Sequence, residues 1–333
     1  MRFLGTARLA RRVALLALPA LPALLALAPL SQAAAKWPEK PVKIVLPFGA
    51  GGVADVSSRI MADKLDNILG QRVVIENMPG PGGINAARAV VNAPPDGYTL
   101  GLVTNGTAIS VAAFNHLPFD PVKQFAMISE LGEFNLLFAV AANSKYRTLE
   151  DFIQDAQTNP GKLNIGTIAV GGTQNLGAEL FKSLADVKVT IVPYKGSPDV
   201  VVGLLRNDVQ MLVEFPPAIR GQVAAGKLRV LASTGATRES SMPDVPTVQE
   251  AGVSGYLVTS WNGVFAPAGT PQEVIDTMNK AMHEVLAMPD VKEHFAKIGV
   301  EARAGTPDEL MKRLKDDIKK WDEVITKAGI PKK

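Results

Sequence analysis

From residue 42 to residue 266, short β-branched or apolar runs alternate with stretches whose apolar residues recur at helical spacing. That pattern restricts a chain to layered α/β architectures, because each helix must cover a sheet face and return the chain for the next strand. Val42–Leu46 is a strand by composition. Val53, Val56, Ile60, Leu65, Ile68 and Leu69 follow at helical spacing, and Gly70 is a stop. RVVIE (72–76) reads as a second strand. A loop, a short helix and a Pro94-Pro95-Asp96-Gly97 turn then lead to a third. The β-α-β-α-β order predicts a largely parallel sheet covered by helices.

A similar order restarts at LLFAVAA (136–142). Thr148 and Asp151 read as a capping box opening TLEDFIQDAQ. Ser197 reads as the cap of a later helix, with Pro198 in its first position. LNIGT, KVTIVPY, VQMLV and LRVLAST read as strands, and YLVTSWNGVFAPAG as a long extended run. Beyond Pro271 the chain reads as mostly helical, with Leu310, Leu314, Ile318, Trp321 and Ile325 on one stripe. Two α/β units are expected, the second inserted into the first. Residues 36–141 and 260–333 form a discontinuous domain 1 and residues 142–259 domain 2, with Leu136–Ala142 and Trp261–Ala266 as crossovers.

Two loops match across these units. KIVLPFGAGGVAD (43–55) has a counterpart 120 positions on in NIGTIAVGGTQN (164–175). Each has a strand, a Gly-Gly pair and a short polar residue three positions past the second glycine, Asp55 or Asn175. In open parallel sheets ligands lie beyond the carboxyl ends of strands, where the next helix offers unpaired N–H groups and about half a positive charge. Two such ends facing one cleft would hold an anion from both sides. No lysine or arginine sits in either loop, G-x-x-x-x-G-K-S/T is absent, and PFGAGG does not meet G-x-G-x-x-G. A planar carboxylate suits such backbone donors better than a phosphate.

The first 35 residues divide into an arginine-bearing start, an apolar run and a small-residue exit, the layout of a secretory signal cut after Ala35. Pro19 and Pro22 within the apolar run argue against a membrane anchor. The leader holds four basic residues and no acidic ones, so 31 basic residues face 32 acidic ones in the rest, a net charge of −1. That balance, with no basic run among aromatics, gives no sign of nucleic-acid binding. The chain has no cysteine, hence no disulfide and no lipid-attachment thiol, and its 47% hydrophobic content suffices for cores. A soluble periplasmic protein is expected.

Signs of catalysis are few. The three histidines, His116, His283 and His294, lie far along the chain from both loops, and neither H-E-x-x-H nor G-x-S-x-G occurs. Asp55, Glu76, Asp96 and Glu214 have no spacing that demands a carboxylate pair. Tyr194 and Lys195 are in reach of a cleft, whereas Met211, Phe215 and Trp261 read as core. No catalytic residue, metal or cofactor is called for, and binding without turnover is expected.

The motifs WPEKPVKIVLPFGAGGVADVSSR, ENMPGPGG, APPDGYTL, VPYKG, AAGKLRVLAST, MPDVPTVQEAG and WNGVFAPAGTP occur in that order between Trp37 and Ile330. In this order they resemble the solute-binding receptors of tripartite tricarboxylate transporters, the TctC or Bug family. The resemblance implies a type II periplasmic-binding-protein fold, two α/β domains with a ligand cleft and two crossover strands. It also implies that Phe48, Gly49, Ala50 and Asp55, with Gly171, Gly172 and Thr173, grip one carboxylate through backbone groups and ordered waters. Asn105 and Thr107 would line the cleft, and Asn175, Tyr194, Glu214 and Pro216 would meet the far end of the ligand. The family often has histidine at Asn175, and Gly-Gly-x-Val-Asp where this chain has Arg206-Asn207-Asp208-Val209-Gln210. The expected function is capture of a small mono- or dicarboxylate by a periplasmic monomer and delivery to membrane subunits of the transporter. The alternatives are a ligand-sensing module for a two-component sensor kinase, and a hydrolase using the same cleft.

Overall fold

The chain changes sheets in a single residue step at Leu136, and the whole architecture follows from that step. The computed structural model describes residues 37–168, 170–239 and 241–332. The expected leader and its cut after Ala35 lie outside them. First come β1 (Val42–Leu46), α1 (Val53–Leu69), β2 (Val73–Asn77), α2 (Ile84–Val91), β3 (Thr99–Thr104), α3 (Asn105–Ala113), the one-turn α4 (Pro121–Gln124) and β4 (Phe125–Asn135). Next are β5 (Leu137–Ala141), α5 (Leu149–Thr158), β6 (Asn164–Ile168), α6 (Thr173–Leu184), β7 (Thr190–Tyr194), α7 (Ser197–Leu205), β8 (Met211–Glu214), α8 (Pro216–Ala224) and β9 (Leu228–Ser233). The chain ends with β10 (Thr259–Pro267), α9 (Gln272–Ala287), α10 (Pro289–Lys297), β11 (Glu301–Ala302) and α11 (Pro307–Lys327).

The first sheet has six strands in the order β11-β4-β10-β3-β1-β2, the second five in the order β7-β6-β8-β5-β9. The alternation predicts largely parallel sheets, and the pairing corrects this. Among the described strands, β1 with β2 and β3, and β6 with β7 and β8, pair in parallel. β10 runs antiparallel to β3 and β4, and β5 antiparallel to β8 and β9. The cause is the route: β5 and β10 are reached from the other sheet, with no helical crossover to turn the chain round.

The two passages between sheets lie side by side. Leu136 N–H donates to Thr234 Oγ1 at 2.7 Å, Thr234 N–H returns to the Leu136 carbonyl at 3.0 Å, and Val258 N–H donates to the Thr234 carbonyl at 3.0 Å. Both Leu136 and Thr234 are fully buried. Helix starts mostly follow local chemistry: Thr148 and Asp151 form the capping box on α5. Ser197, expected as a cap, is instead the first residue of α7 behind Gly196, and its hydroxyl serves Glu214. On α11, Leu310, Leu314, Trp321 and Ile325 are buried and Ile318 half-buried, while Asp317 is buried to accept the Trp261 Nε1–H at 2.6 Å.

Candidate functional site

Two strand-to-helix loops with the same backbone open on one cleft. Gly51 (φ +87°) and Gly171 (φ +80°) occupy the left-handed region that glycine enters without steric cost. The glycine after each, Gly52 (φ −80°, ψ 171°) or Gly172 (φ −78°, ψ 164°), is the N-cap of α1 or α6, and neither cap carries a side-chain hydrogen bond. Gly51 N–H donates to Asp55 Oδ2 at 2.9 Å, and Gly171 N–H to Asn175 Oδ1 at 3.0 Å. The short polar residue in each loop thus fastens the turn, and the first-turn N–H groups of both helices keep no intrahelical partner. α3, by contrast, is closed by its own capping box between Thr104 and Thr107. Two uncapped helix starts make the cleft favourable for an anion.

The cleft has a volume of about 960 Å³. Phe48, Gly49 and Ala50 from the first loop and Gly171, Gly172 and Thr173 from the second line it. Phe114, Phe134, Phe215 and Ile109 form much of the remaining wall. Phe134 of the first sheet and Phe215 beside the second meet with ring centroids 5.2 Å apart. The polar part of the wall is Ser110, Ser260, Asn262, Gln174, Ser197 and Glu214. Glu214 is 1% exposed; its Oε1 accepts from Gln174 Nε2 (2.9 Å) and Phe215 N–H (2.8 Å), and its Oε2 from Ser197 Oγ (2.6 Å).

The other residues singled out in the sequence stand behind or beside this surface. Asn105 is fully buried: its Nδ2 donates to Thr173 Oγ1 at 3.0 Å and its Oδ1 accepts the Trp321 Nε1–H at 2.7 Å, tying α3, α6 and α11 together. Thr107 is spent on the α3 cap, accepting the Thr104 N–H at 3.2 Å. Asn175 Nδ2 turns back to Thr167 Oγ1 at 3.4 Å. The Tyr194 ring lies against Gly203 of α7, where only a residue without a side chain leaves room, and its neighbour Lys195 is exposed. Pro216 is buried as the first residue of α8, and the next residue, Pro217, reaches the cleft instead. Phe215, read as core, lines the cleft. Glu76 pairs with Lys43 at 3.0 Å and Asp96 with Lys40 at 4.0 Å, so each has its own partner. All three histidines are exposed, and no cluster of metal-ligating side chains occurs among the described residues.

Ser260 and Asn262 escaped the sequence reading although the signal was present: on an extended WNG stretch they alternate with Trp261, which points to Asp317. Asn262 is 3% exposed, lines the cleft, and its amide has no side-chain hydrogen bond among the described residues. The C-terminal Ile330, Pro331 and Lys332 also line the cleft, and the Lys332 ammonium is held by Asp322 at 2.6 Å.

Asp55 carries the largest charge effect in the first loop. Arg59 Nε donates to both its oxygens (3.0 and 3.1 Å), Asn77 Nδ2 donates at 2.9 Å and the Gly51 N–H completes the set. Hydrogen bonds from Arg59, then from Gly51 and Asn77, outweigh burial and hold its carboxyl down at about 2. A depressed carboxyl pKa stabilises the fold above the unfolded value near 4, and the contribution disappears as pH falls from about 4 to about 2. Its size is on the order of 2 kcal/mol. Asp55→Asn is therefore expected to lower stability at pH 7 by about that amount. In urea melts the gap to the parent should narrow steadily between pH 4 and pH 2; a constant gap would locate the effect elsewhere.

Comparison with known proteins finds relatives over most of the chain. The family model for the tripartite tricarboxylate transporter family receptor (TctC) matches residues 57–330. The chain is 31% identical to protein BugT of Bordetella pertussis over 89% of its own length and 92% of the relative's. It superposes on an R. palustris protein solved with adipate at a TM-score of 0.75, with 33% identity over 89% of this chain and 99% of that one. MatC from Rhodopseudomonas palustris, solved with malate, gives a TM-score of 0.71 and 29% identity over 87% of this chain and all of the other. With its two mixed sheets and a family match over most of its length, the chain belongs to the TctC/Bug family of periplasmic solute-binding proteins and has the type II periplasmic-binding-protein fold.

Proposed function

We propose that the protein is an exported periplasmic receptor that clamps the carboxylate of a small organic acid between its two glycine loops and delivers it to membrane subunits of a tripartite tricarboxylate-type transporter. The observation that carries this reading is the pair of uncapped helix starts, with near-identical loop dihedrals, lining one cleft. Among the described residues no helix is long and apolar enough to cross a membrane. Relatives solved with adipate and malate support a carboxylate as the ligand class.

On this reading the first sheet and its helices, residues 37–135 and 259–332, form one lobe, and the second sheet and its helices, residues 137–258, the other. The expected boundary at residue 141 moves to Leu136, because β5 pairs wholly in the second sheet and β10 wholly in the first. Neither Leu136–Ala142 nor Trp261–Ala266 is therefore itself the crossover. The paired passages at Leu136 and Thr234 are the hinge. Ligand contacts to both lobes favour the closed state by differential binding, so closure is a population shift rather than a chemical step. The first loop contributes Phe48, Gly49 and Ala50, and the second Gly171, Gly172 and Thr173. Asp55 and Asn175 hold those loops in shape, Asn105 sets Thr173, and Glu214 bounds the far side. Turnover has no part in it, and the receptor acts as a monomer.

The direct test is native mass spectrometry of the protein purified without denaturation, followed by calorimetry with the recovered compound. An unaltered organic acid bound one to one, with Kd in the micromolar range or tighter (about −8 kcal/mol), is expected. Recovery of a chemically altered product, or no heat with any small carboxylate, would remove the proposal.

A further inference from the structure

We infer that the cleft selects organic acids with one carboxylate and an apolar body over diacids of the same skeleton. This narrows the receptor reading to a substrate class and rests on it. The two glycine-loop helix starts provide for one anionic group. Among the described residues the rest of the lining offers a second one neutral polar groups such as Ser110, Ser260 and Asn262 but no free cation. Among the described residues Lys332 is the only cation lining the cleft, and its ammonium is already held by Asp322 at 2.6 Å. Away from the loops the wall is built largely from the phenyl rings of Phe114, Phe134 and Phe215.

Within that wall lies a buried carboxylate. Glu214 accepts from an amide, a backbone N–H and a hydroxyl, so its charge is met by dipoles alone. Its near-complete burial limits screening of this carboxylate by water. A second ligand carboxylate reaching this wall would exchange its hydration for aromatic surface and a few neutral donors, beside the Glu214 carboxylate and with no free cation to offset it. A methyl or an aryl edge in the same place removes apolar surface from water on both partners.

The test is calorimetry at neutral pH and fixed ionic strength with two matched pairs, hexanoate against adipate and 4-methylbenzoate against terephthalate. Within each pair only a terminal methyl is exchanged for a carboxylate. At least one monoacid is expected to bind, with a preference of fivefold or more over its diacid. A smaller preference, or the reverse, overturns the inference and leaves the receptor reading standing. Silence from all four, in a protein that also yields no bound acid from the cell, removes both. Glu214→Gln, which keeps the volume and removes the charge, should shrink the monoacid-to-diacid ratio at least threefold. An unchanged ratio in a folded variant rules out Glu214 as the source, and the wild-type pairs decide the matter should the variant not fold.

Discussion

Gly52→Asp is expected to weaken carboxylate binding more than 100-fold while the melting temperature holds or rises. Gly52 is the N-cap of α1 in an extended conformation that any residue adopts, and a Cβ built there meets nothing within 4 Å. Aspartate is among the best N-cap residues, because its side chain accepts an N–H of the first helical turn. Relative to glycine that gains a few tenths of a kcal/mol, to which attraction to the helix dipole adds about 0.3–1 kcal/mol. On the receptor reading proposed above, the same N–H groups hold the ligand. An internal carboxylate therefore occupies the ligand's position at no entropic cost of association, and repels an incoming anion as well. A 100-fold loss corresponds to about 2.7 kcal/mol. Gly52→Ser separates charge from occupancy: it caps the helix without a negative charge and should lose clearly less affinity. Calorimetry with the acid recovered from the parent protein and differential scanning fluorimetry read the two effects separately. A variant that keeps affinity within fivefold of the parent would show that the ligand sits elsewhere.

The features that were legible in the sequence are those whose cause is local. Glycine in the left-handed region, an uncapped helix start and a polar side chain returning to its own loop are all written within a dozen residues. That is why the repeats at Gly51–Asp55 and Gly171–Asn175 stood out 120 positions apart. Contacts settled at long range were not legible. β4, FAMISELGEFN, reads poorly as a core strand because it carries Glu130 and Glu133. Arg313 on α11 bonds both carboxylates, reaching Glu133 at 2.9 Å, and Arg303 bonds Glu133 at 3.2 Å, more than 160 residues further on. Tyr194 stood near the cleft in sequence, yet Gly203 on the following helix opened a place for its ring elsewhere. The aromatic wall was invisible for a similar reason: Phe114, Phe134 and Phe215 leave three separate elements and converge only once both sheets are packed.

Trp321→Ala should destabilise the fold by about 3–5 kcal/mol, more than Asp55→Asn, since it removes a large, fully buried side chain from the core. At roughly 2 °C per kcal/mol for a chain of this size, the melting temperature falls by about 6–10 °C. Trp321 is also the donor that holds Asn105 Oδ1 at 2.7 Å, and Asn105 in turn donates to Thr173 Oγ1 at 3.0 Å on the second loop. Packing and positioning are separable through Trp321→Phe, which keeps most of the apolar volume and deletes only the indole N–H. Leaving the buried Asn105 oxygen without its donor costs about 1–3 kcal/mol and lets the amide rotate. Asn105 joins α3 beside the first sheet to α6 beside the second, so a freed amide loosens the contact that fixes Thr173 at the cleft. Trp321→Phe should therefore lose several-fold in affinity on top of its modest loss in melting temperature. Asn105→Ala, which keeps the tryptophan but breaks the same relay, should reproduce the affinity loss. If both variants bind as tightly as the parent, the relay serves folding alone, and the second cradle is set by its own loop through Gly171 and Asn175.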